Sequence, residues 1–409
     1  MGHVQDRWFR TVRDELTGKP QRERTDLHGT GLRYKVRYVD PEGRERSKSF
    51  PDRRKKAAED FLGEMESGVR AGTYLDPDAG KVPFREYAES WVKGQSSDAS
   101  SRQSIESRLR SQLYPFFDRR PVDAIAPARV RDWLAWLEDR RLDGTYRAVL
   151  FDTLSSIMNA AVEDKLIRDN PCQARSIKKP RRSSHRVVPW PVERVRAVQE
   201  GLAERWRVAA DVGAGLGLRQ GEVLGLSAGD LDTTEAVVHV VRQLRIIRGQ
   251  LVFAPPKGGK SRTVPLPDEV RAAVATHRRS FPSARVRLPW LEPGGRTVEI
   301  ELLLSNERGE PHSGDHFNKV MWRGAFRAAG LAYAPRTDGM HALRHFYAST
   351  LLAGGVSIKE VAEYLGHADP GFTLRTYTHL VPSSHARARQ AVDAVLGAGA
   401  DTSDGLRTA

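Results

Sequence analysis

The 409-residue chain contains one cysteine, Cys172, which excludes an intrachain disulfide framework and a cysteine-rich zinc site. Cys172 follows Pro171 and reads as a small buried residue. No apolar run approaches the ~20 residues that a membrane span needs. The first 26 residues are charged throughout and have no apolar stretch of the signal-peptide kind. The expected location is therefore the cytoplasm, with no membrane partner. A phosphate loop of the form GxxxxGK[ST] is also missing, because Lys257-Gly258-Gly259-Lys260-Ser261 lacks the first glycine at the required spacing. Nothing resembles an acidic cluster suited to two-metal phosphoryl transfer, so neither metal nor cofactor is expected.

Positive charge is what the chain has in excess. Lys and Arg number 66 against 52 Asp and Glu, a formal charge of +14. Such a surplus favours a polyanionic partner, since each neutralised phosphate releases condensed counterions. Its distribution sharpens the reading. Residues 31–40 alternate, with Leu32, Tyr34, Val36 and Tyr38 on one side and Arg33, Lys35 and Arg37 on the other, the period of a half-buried strand. After Pro41-Glu42-Gly43 a second strand brings Arg44, Arg46 and Lys48, expected to continue one basic face. Ala58, Phe61, Leu62 and Met65 then recur at helical spacing. A small sheet-plus-helix module that lays a cationic face on DNA is expected.

Residues 84–170 are helical in pattern, with Trp91, Leu109, Val130, Trp133, Leu150, Leu154 and Ile157 among the repeating apolar positions. About four helices fit, broken near 94–101, 119–127 and 143–144. Between 175 and 186 stand Arg175, Lys178, Lys179, Arg181, Arg182 and Arg186 without an acidic residue. That composition predicts an exposed linker able to cross a DNA backbone. From 187 onward helices flank short strands at 236–242, 251–254 and 262–266, with an uncertain register across 242–253.

The chemistry-bearing residues lie in this last region. Arg219 opens an apolar helix with Glu222 three positions on, a spacing that supports an ion pair. Pro256-Lys257-Gly258-Gly259-Lys260 is a basic, glycine-rich turn between strands. His341-Ala342-Leu343-Arg344-His345 puts His341 and Arg344 on one helix face. Leu365-Gly366-His367 ends a helix, and Tyr377 follows ten residues later in Arg375-Thr376-Tyr377-Thr378-His379. Each element alone has a bland explanation: an ion pair, a helix cap, a packed aromatic.

In order, however, they read Arg, Lys, His-x-x-Arg, His, Tyr, and this set resembles the tyrosine recombinase (phage integrase) family from about 187 to 396. The resemblance implies that Arg219 and Arg344 bind the scissile phosphate and that Lys257 protonates the leaving 5′ oxygen, with Lys260 as its rival. It implies that His341 and His367 complete the phosphate pocket; the phenol proton would pass to one of them or directly to the phosphate. Tyr377 would be the nucleophile of a metal-free, ATP-independent cleavage and rejoining. A helix over 383–396, with Ala388, Ala391, Val392, Val395 and Leu396 on one side, would dock on a neighbouring protomer.

The implied protein is α+β and multidomain. Residues 1–26 would be flexible, 27–72 an arm-type DNA-binding module of sheet plus helix, and 82–172 an all-α core-type DNA-binding domain. Residues 173–186 would link these to a mainly α catalytic domain with a small antiparallel sheet at 187–397, ahead of a flexible tail, 398–409. The DNA-binding residues would be Arg33, Lys35, Arg37, Arg44, Arg46, Lys178, Lys179, Arg181 and Arg182. The implied partners are double-stranded DNA with core-type and arm-type attachment sites, three further copies of the chain in a tetramer on two duplexes, a directionality factor and a DNA-bending protein. Two other readings use the same residues: a type IB topoisomerase, and a non-catalytic DNA-binding regulator.

Overall fold

The computed structural model describes residues 2–13, 19–96, 98–183, 187–335, 337–367, 369–377 and, beyond these, 389, 390, 392, 393, 395 and 396. The expected C-terminal helix and tail thus lie largely outside the described residues. The chain divides into two units, 1–183 and 184–409. No helix among the described residues is long and apolar enough to cross a membrane.

The first unit begins with five strands and a helix: β1 (His3–Asp6), β2 (Phe9–Arg13), β3 (Pro20–Arg24), β4 (Tyr34–Val39), β5 (Glu45–Phe50) and α1 (Lys55–Ala71). Strands β1, β4 and β5 form an antiparallel sheet in the order β1-β4-β5, while β2 and β3 form a separate ribbon. Alternation along β4 buries Tyr34, Val36 and Tyr38 against Ala58 and Met65 of α1. Leu32, expected on that face, is exposed.

Three expectations for this region are corrected. Residues 1–26 contain three strands rather than a flexible lead. Their charge conceals them: Asp6 holds Arg22 and Arg33 across the fold, and the Arg22 and Arg33 guanidiniums lie over the Phe9 ring. Second, the cations of the second strand do not extend the face of Lys35 and Arg37. The register pairs Tyr38 with Arg46 and Val36 with Lys48, and directly paired residues share a face, so Arg46 and Lys48 lie on the α1 side. There Arg46 reaches Asp40 at 2.9 Å and Asp76 at 3.0 Å, and the Lys48 ammonium sits 4.5 Å from the centre of the Phe61 ring. Third, the outer face is less cationic than its composition. Arg33 pairs with Asp6 and Asp52 and Arg37 with Glu45, which leaves Lys35 without an ion pair among the described residues; Arg44, in the turn before β5, pairs with Glu42.

The helical region comprises α2 (Phe84–Gly94), α3 (Ala99–Arg108), α4 (Tyr114–Phe117), α5 (Pro127–Asp139) and α6 (Gly144–Glu163). Asp98 and Asp143 start α3 and α6 by accepting backbone N–H groups through their carboxylates, the usual way that orphan donors at a helix N-terminus are satisfied. Between α3 and α4 the chain makes a wide π turn at Leu109–Leu113, and the Gln112 carbonyl there accepts the Trp133 indole N–H at 3.0 Å. Trp133, Leu137, Leu150, Leu154 and Ile157 form the core of this region.

The basic stretch that follows lies on α6. Lys179 and Arg182 both bind Asp152, at 2.5 and 3.2 Å, Ser183 bonds Thr145, and Ile177 packs on the helical core. Lys178 and Arg181 are exposed and have no ion pair among the described residues. An acidic residue 27 positions upstream of Lys179 thus offsets part of what the local sequence shows as unrelieved positive charge.

The second unit runs α7 (Val192–Gly201), α8 (Glu204–Leu216), α9 (Gln220–Leu224), β6 (Leu231–Asp232), β7 (Val237–Val240), β8 (Gln243–Ile247), β9 (Gln250–Ala254), β10 (Arg262–Pro265), α10 (Asp268–Ser280), β11 (Ala284–Pro289), β12 (Thr297–Leu302), α11 (Gly314–Phe317), α12 (Arg323–Ala328), α13 (His341–Ala353), α14 (Ile358–Leu365) and α15 (Pro370–Tyr377). Strands β10, β7 and β6 make one antiparallel sheet, and β8 and β9 a tight hairpin. That hairpin resolves the uncertain register: Ile247 pairs with Gln250 across Arg248-Gly249, whose φ angles are 49° and 79°. Two left-handed residues define a type I′ turn, which normally advertises itself as Asn-Gly or Asp-Gly; arginine in the first place hid it. The pair β11–β12 was not anticipated at all. One core built around Leu216, Phe317, Trp322, Phe326, Leu343 and Leu365 holds the helices of this unit together.

If Asp6 organises the N-terminal strands, Asp6→Ala should raise the rate of tryptic cleavage at Arg10 and Arg13 by about tenfold, the equivalent of roughly 1.4 kcal/mol of local stability. Proteolysis read by mass spectrometry checks this; an unchanged rate would mean that the strands hold without it.

Candidate active site

Arg219 is placed by a helix break. Gly217 ends α8 in the left-handed conformation (φ 63°), and an added Cβ would stand 2.3 Å from the Tyr347 ring, so only glycine fits. Two residues later Arg219 caps α9, its backbone N–H bonded to Glu222 Oε2 at 2.8 Å. Glu222 is 1% exposed, and its carboxylate gathers two guanidiniums. Arg219 donates Nη1–H to Oε1 at 3.0 Å, and Arg262 donates to both oxygens at 2.9 and 2.7 Å. Burial alone would raise the Glu222 pKa, but the bonds and charge of Arg262, with those of Arg219, hold it below the ordinary carboxylate range.

The end of α14 supplies the opposite wall. Ser357 starts this helix with a reciprocal capping box and Gly366 ends it at φ 63°. The terminal carbonyls then act as acceptors: Gly366 O takes Arg219 Nη2–H at 3.1 Å, Leu365 O takes Arg344 Nη2–H at 2.5 Å, and Tyr364 O takes Arg262 Nε–H at 2.7 Å. Arg344, 1% exposed, also donates Nη1–H to Gly217 O at 2.8 Å. Burial pushes its pKa down to about 9, with Arg219 pressing the same way, which leaves it cationic at neutral pH. A guanidinium has five N–H donors. Arg219 and Arg344 each commit only two groups to these anchors, so both keep donors for an anion.

Three histidines complete the wall. His341 and His345 share one face of α13, their rings 4.7 Å apart edge to face. His367 bonds the buried Thr373 hydroxyl through Nδ1 at 2.6 Å, which fixes its ring. Tyr377, at the end of α15, is 2% exposed, and its phenol oxygen lies 2.7 Å from His345 Nδ1. Desolvation is the largest influence on all four groups. It lowers His341, whose outer edge meets solvent, to about 4, aided by His345 and Arg344; it lowers His345 and His367 to about 4, each aided by Arg344. It raises Tyr377 to about 12 against the pull of Arg344. The pocket therefore presents fixed guanidiniums, neutral imidazoles and a neutral phenol, an arrangement suited to an anion that reacts with an oxygen nucleophile.

Of the sequence-predicted residues, Arg219, His341, Arg344, His367 and Tyr377 come together here. Lys257 does not join them through any contact among the described residues. It stands exposed, like Lys260, in the turn between β9 and β10, where Gly258 and Gly259 both have positive φ. Sequence reasoning missed Arg262, Thr373 and His345. His345 was within reach, since it lies four residues after His341 and so on the same helix face. Nothing local marks the other two.

The phage integrase family matches residues 192–383, and the phage integrase central domain matches 84–177. The chain belongs to this family: it is a tyrosine-type site-specific DNA recombinase, and DNA is its partner. A XerC-like tyrosine recombinase of Caldanaerobacter subterraneus is 25% identical over 379 residues, covering 85% of this chain and 92% of the relative. Among solved structures, the Tn1549 transposon integrase in complex with a circular-intermediate DNA has a similar fold, with a TM-score of 0.64 at 20% identity over 76% of this chain and 99% of that one. The lambda integrase tetramer bound to a Holliday junction gives 0.55 at 15% identity over 82% and 93% of the two chains. Neither the topoisomerase nor the regulator reading is favoured by these relatives.

Glu222→Gln removes the buried charge that two partly exposed guanidiniums share, and should destabilise the catalytic unit by about 3 kcal/mol. Because the native Glu222 pKa is depressed, its contribution is fully present above the unfolded value near 4.3 and is lost as pH falls through the native one. Urea midpoints followed by tryptophan fluorescence should therefore drop more steeply with acid in the parent than in the variant. Parallel profiles would show that Glu222 is not the titrating group.

Proposed function

We propose that Tyr377 is the nucleophile of the recombinase and that the pocket on α13 and α14 holds the scissile phosphate. The observation that carries this is the convergence of two anchored guanidiniums, Arg219 and Arg344, on the helix face that also receives the Tyr377 phenol. In this reading the phenol oxygen attacks phosphorus, and the two arginines take the charge that grows on the equatorial oxygens through forked donors already fixed by backbone carbonyls. His341 and His367 offer further hydrogen bonds to those oxygens. Lys257, on its glycine-rich turn, protonates the departing 5′ oxygen, with Lys260 as its rival. The product is a 3′-phosphotyrosine ester close in energy to the bond it replaces, so rejoining needs no external energy source.

The remainder of the chain is read as DNA-positioning surface. Residues 82–172 would form a core-type binding domain and 27–72 an arm-type one, with 173–186 between the former and the catalytic domain at 187–397. Of the candidate contacts, Lys35, Lys178 and Arg181 have no ion pair among the described residues, whereas Arg33, Arg37, Arg44, Arg46, Lys179 and Arg182 would exchange a carboxylate for a phosphate on binding. Arg13, Lys19 and Arg24 on the β2–β3 ribbon add cations that have no ion pair among the described residues. The lambda integrase tetramer on a Holliday junction supports four copies acting on two duplexes. The transposon integrase among the similar folds supports action on a mobile element; a directionality factor and a DNA-bending protein are the helpers that the family resemblance implies.

A duplex selected by the full chain from a randomised pool, with a bridging 5′ sulfur at the cleaved position, separates these roles. Sulfur leaves without needing a proton, so Lys257→Ala should lose about 10²–10⁴ in single-turnover cleavage on the oxygen substrate and recover on sulfur. Arg219→Ala and Arg344→Ala should lose about 10²–10³ on both, with gel-shift binding kept in all three. Recovery of Lys260→Ala instead would exchange the two lysines, and recovery of an arginine variant would contradict its role.

A further inference from the structure

The Tyr377 phenol makes a single hydrogen bond among the described residues, to His345 Nδ1 at 2.7 Å. This partner is not one of the two histidines expected to take its proton. His367 has Nδ1 committed to Thr373, and His341 meets the edge of the His345 ring rather than the phenol. The geometry points to His345 as the proton acceptor for Tyr377: a catalytic residue that touches the reacting oxygen, supplied by the second histidine of His341-Ala342-Leu343-Arg344-His345. This inference rests on the reading of Tyr377 as the nucleophile and deepens it.

The step is balanced within the site. As the Tyr377 oxygen forms its bond to phosphorus, its proton passes along the existing hydrogen bond to Nδ1, and the bond from phosphorus to the 5′ oxygen breaks. That oxygen leaves with a proton from the lysine turn. On rejoining, the 5′ hydroxyl attacks, returns its proton to the lysine, and the phenolate recovers its own from His345. Nothing else is consumed.

The charges around His345 also explain why the proton rests on the phenol before DNA binds. The groups facing His345 are Arg344 and His341 on its own helix, Tyr377 on α15 and His367 beyond α14. After desolvation, the Arg344 charge is what presses on the imidazole. A phosphodiester bound by Arg344 brings a negative charge that offsets this pressure and stabilises an imidazolium. The acceptor therefore strengthens when substrate fills the pocket, and an unliganded chain does not carry a reactive phenolate.

Asparagine at 345 separates accepting a hydrogen bond from accepting a proton, because its amide oxygen can stand near the Nδ1 position but cannot be protonated at neutral pH. On the selected duplex, with the nick placed to trap the covalent product, His345→Asn should bind as the parent does and cleave about 10²–10⁴ more slowly. His345→Ala should be equally slow and partly restored by added imidazole. The parent rate should fall as acid protonates the acceptor in the DNA complex, and this limb should be missing from the Asn variant. Cleavage by His345→Asn within threefold of the parent would overturn the proposal and leave His345 as a positioning residue. Faster cleavage by both variants would overturn it differently, making the contact a latch that stows the nucleophile. Tyr377→Phe runs alongside: a covalent adduct formed without the phenol would sink the nucleophile reading itself, whatever His345 does.

Discussion

One buried carboxylate decides whether this site exists. Glu222 lies at the junction of α9, β10 and the end of α14, and it is the only anion among the described residues bonded to Arg219 and Arg262. Placing two guanidiniums around it in a protein interior is costly, and such clusters seldom add net stability over an apolar core. Their benefit is geometric. Arg262 is held through all three of its guanidinium nitrogens, by Glu222 and the Tyr364 carbonyl, whereas Arg219 and Arg344 are each tied through two nitrogens and keep further donors uncommitted. Little reorganisation remains when negative charge develops beside them.

The helix ends perform the same service as the carboxylate. Gly217 and Gly366 both adopt φ 63° and end α8 and α14. The carbonyls released there would ordinarily be satisfied by a cap or by water. Here Gly217 O, Leu365 O and Gly366 O accept from Arg344 and Arg219. Helix termination, a stability problem, and the anchoring of the two arginines are solved by the same hydrogen bonds. That coupling explains why the His-x-x-Arg and Leu-Gly-His segments lie far apart in sequence yet close the same pocket.

The candidate set stood out in the sequence because the chemistry proposed for it restricts residue type: phosphate binding calls for arginine, leaving-group protonation for a cationic donor, and attack for a phenol. The structure brings Arg219, His341, Arg344, His367 and Tyr377 together and leaves Lys257 on an exposed turn. The helical periodicity of 84–170 was legible for a different reason, since apolar positions at three- and four-residue spacing must share a face. Features set by long-range partners were not. Asp152 pairs with Lys179 and Arg182 from α6, strand register turns Arg46 and Lys48 toward α1, and Asp6 makes structure of a segment that looks only charged. His345 falls between these cases. Its position on the α13 face could be read from helix geometry, but its bond to the phenol depends on where α15 packs.

The central claim is that the pocket formed around Arg219 and Arg344 delivers a scissile phosphate to one particular phenol. Peptide mapping of the covalent complex formed on a nicked core site tests it most directly. The account predicts a single DNA-linked peptide, with the 3′ phosphate esterified to Tyr377. Attachment at another residue, or through a 5′ phosphate, would contradict it.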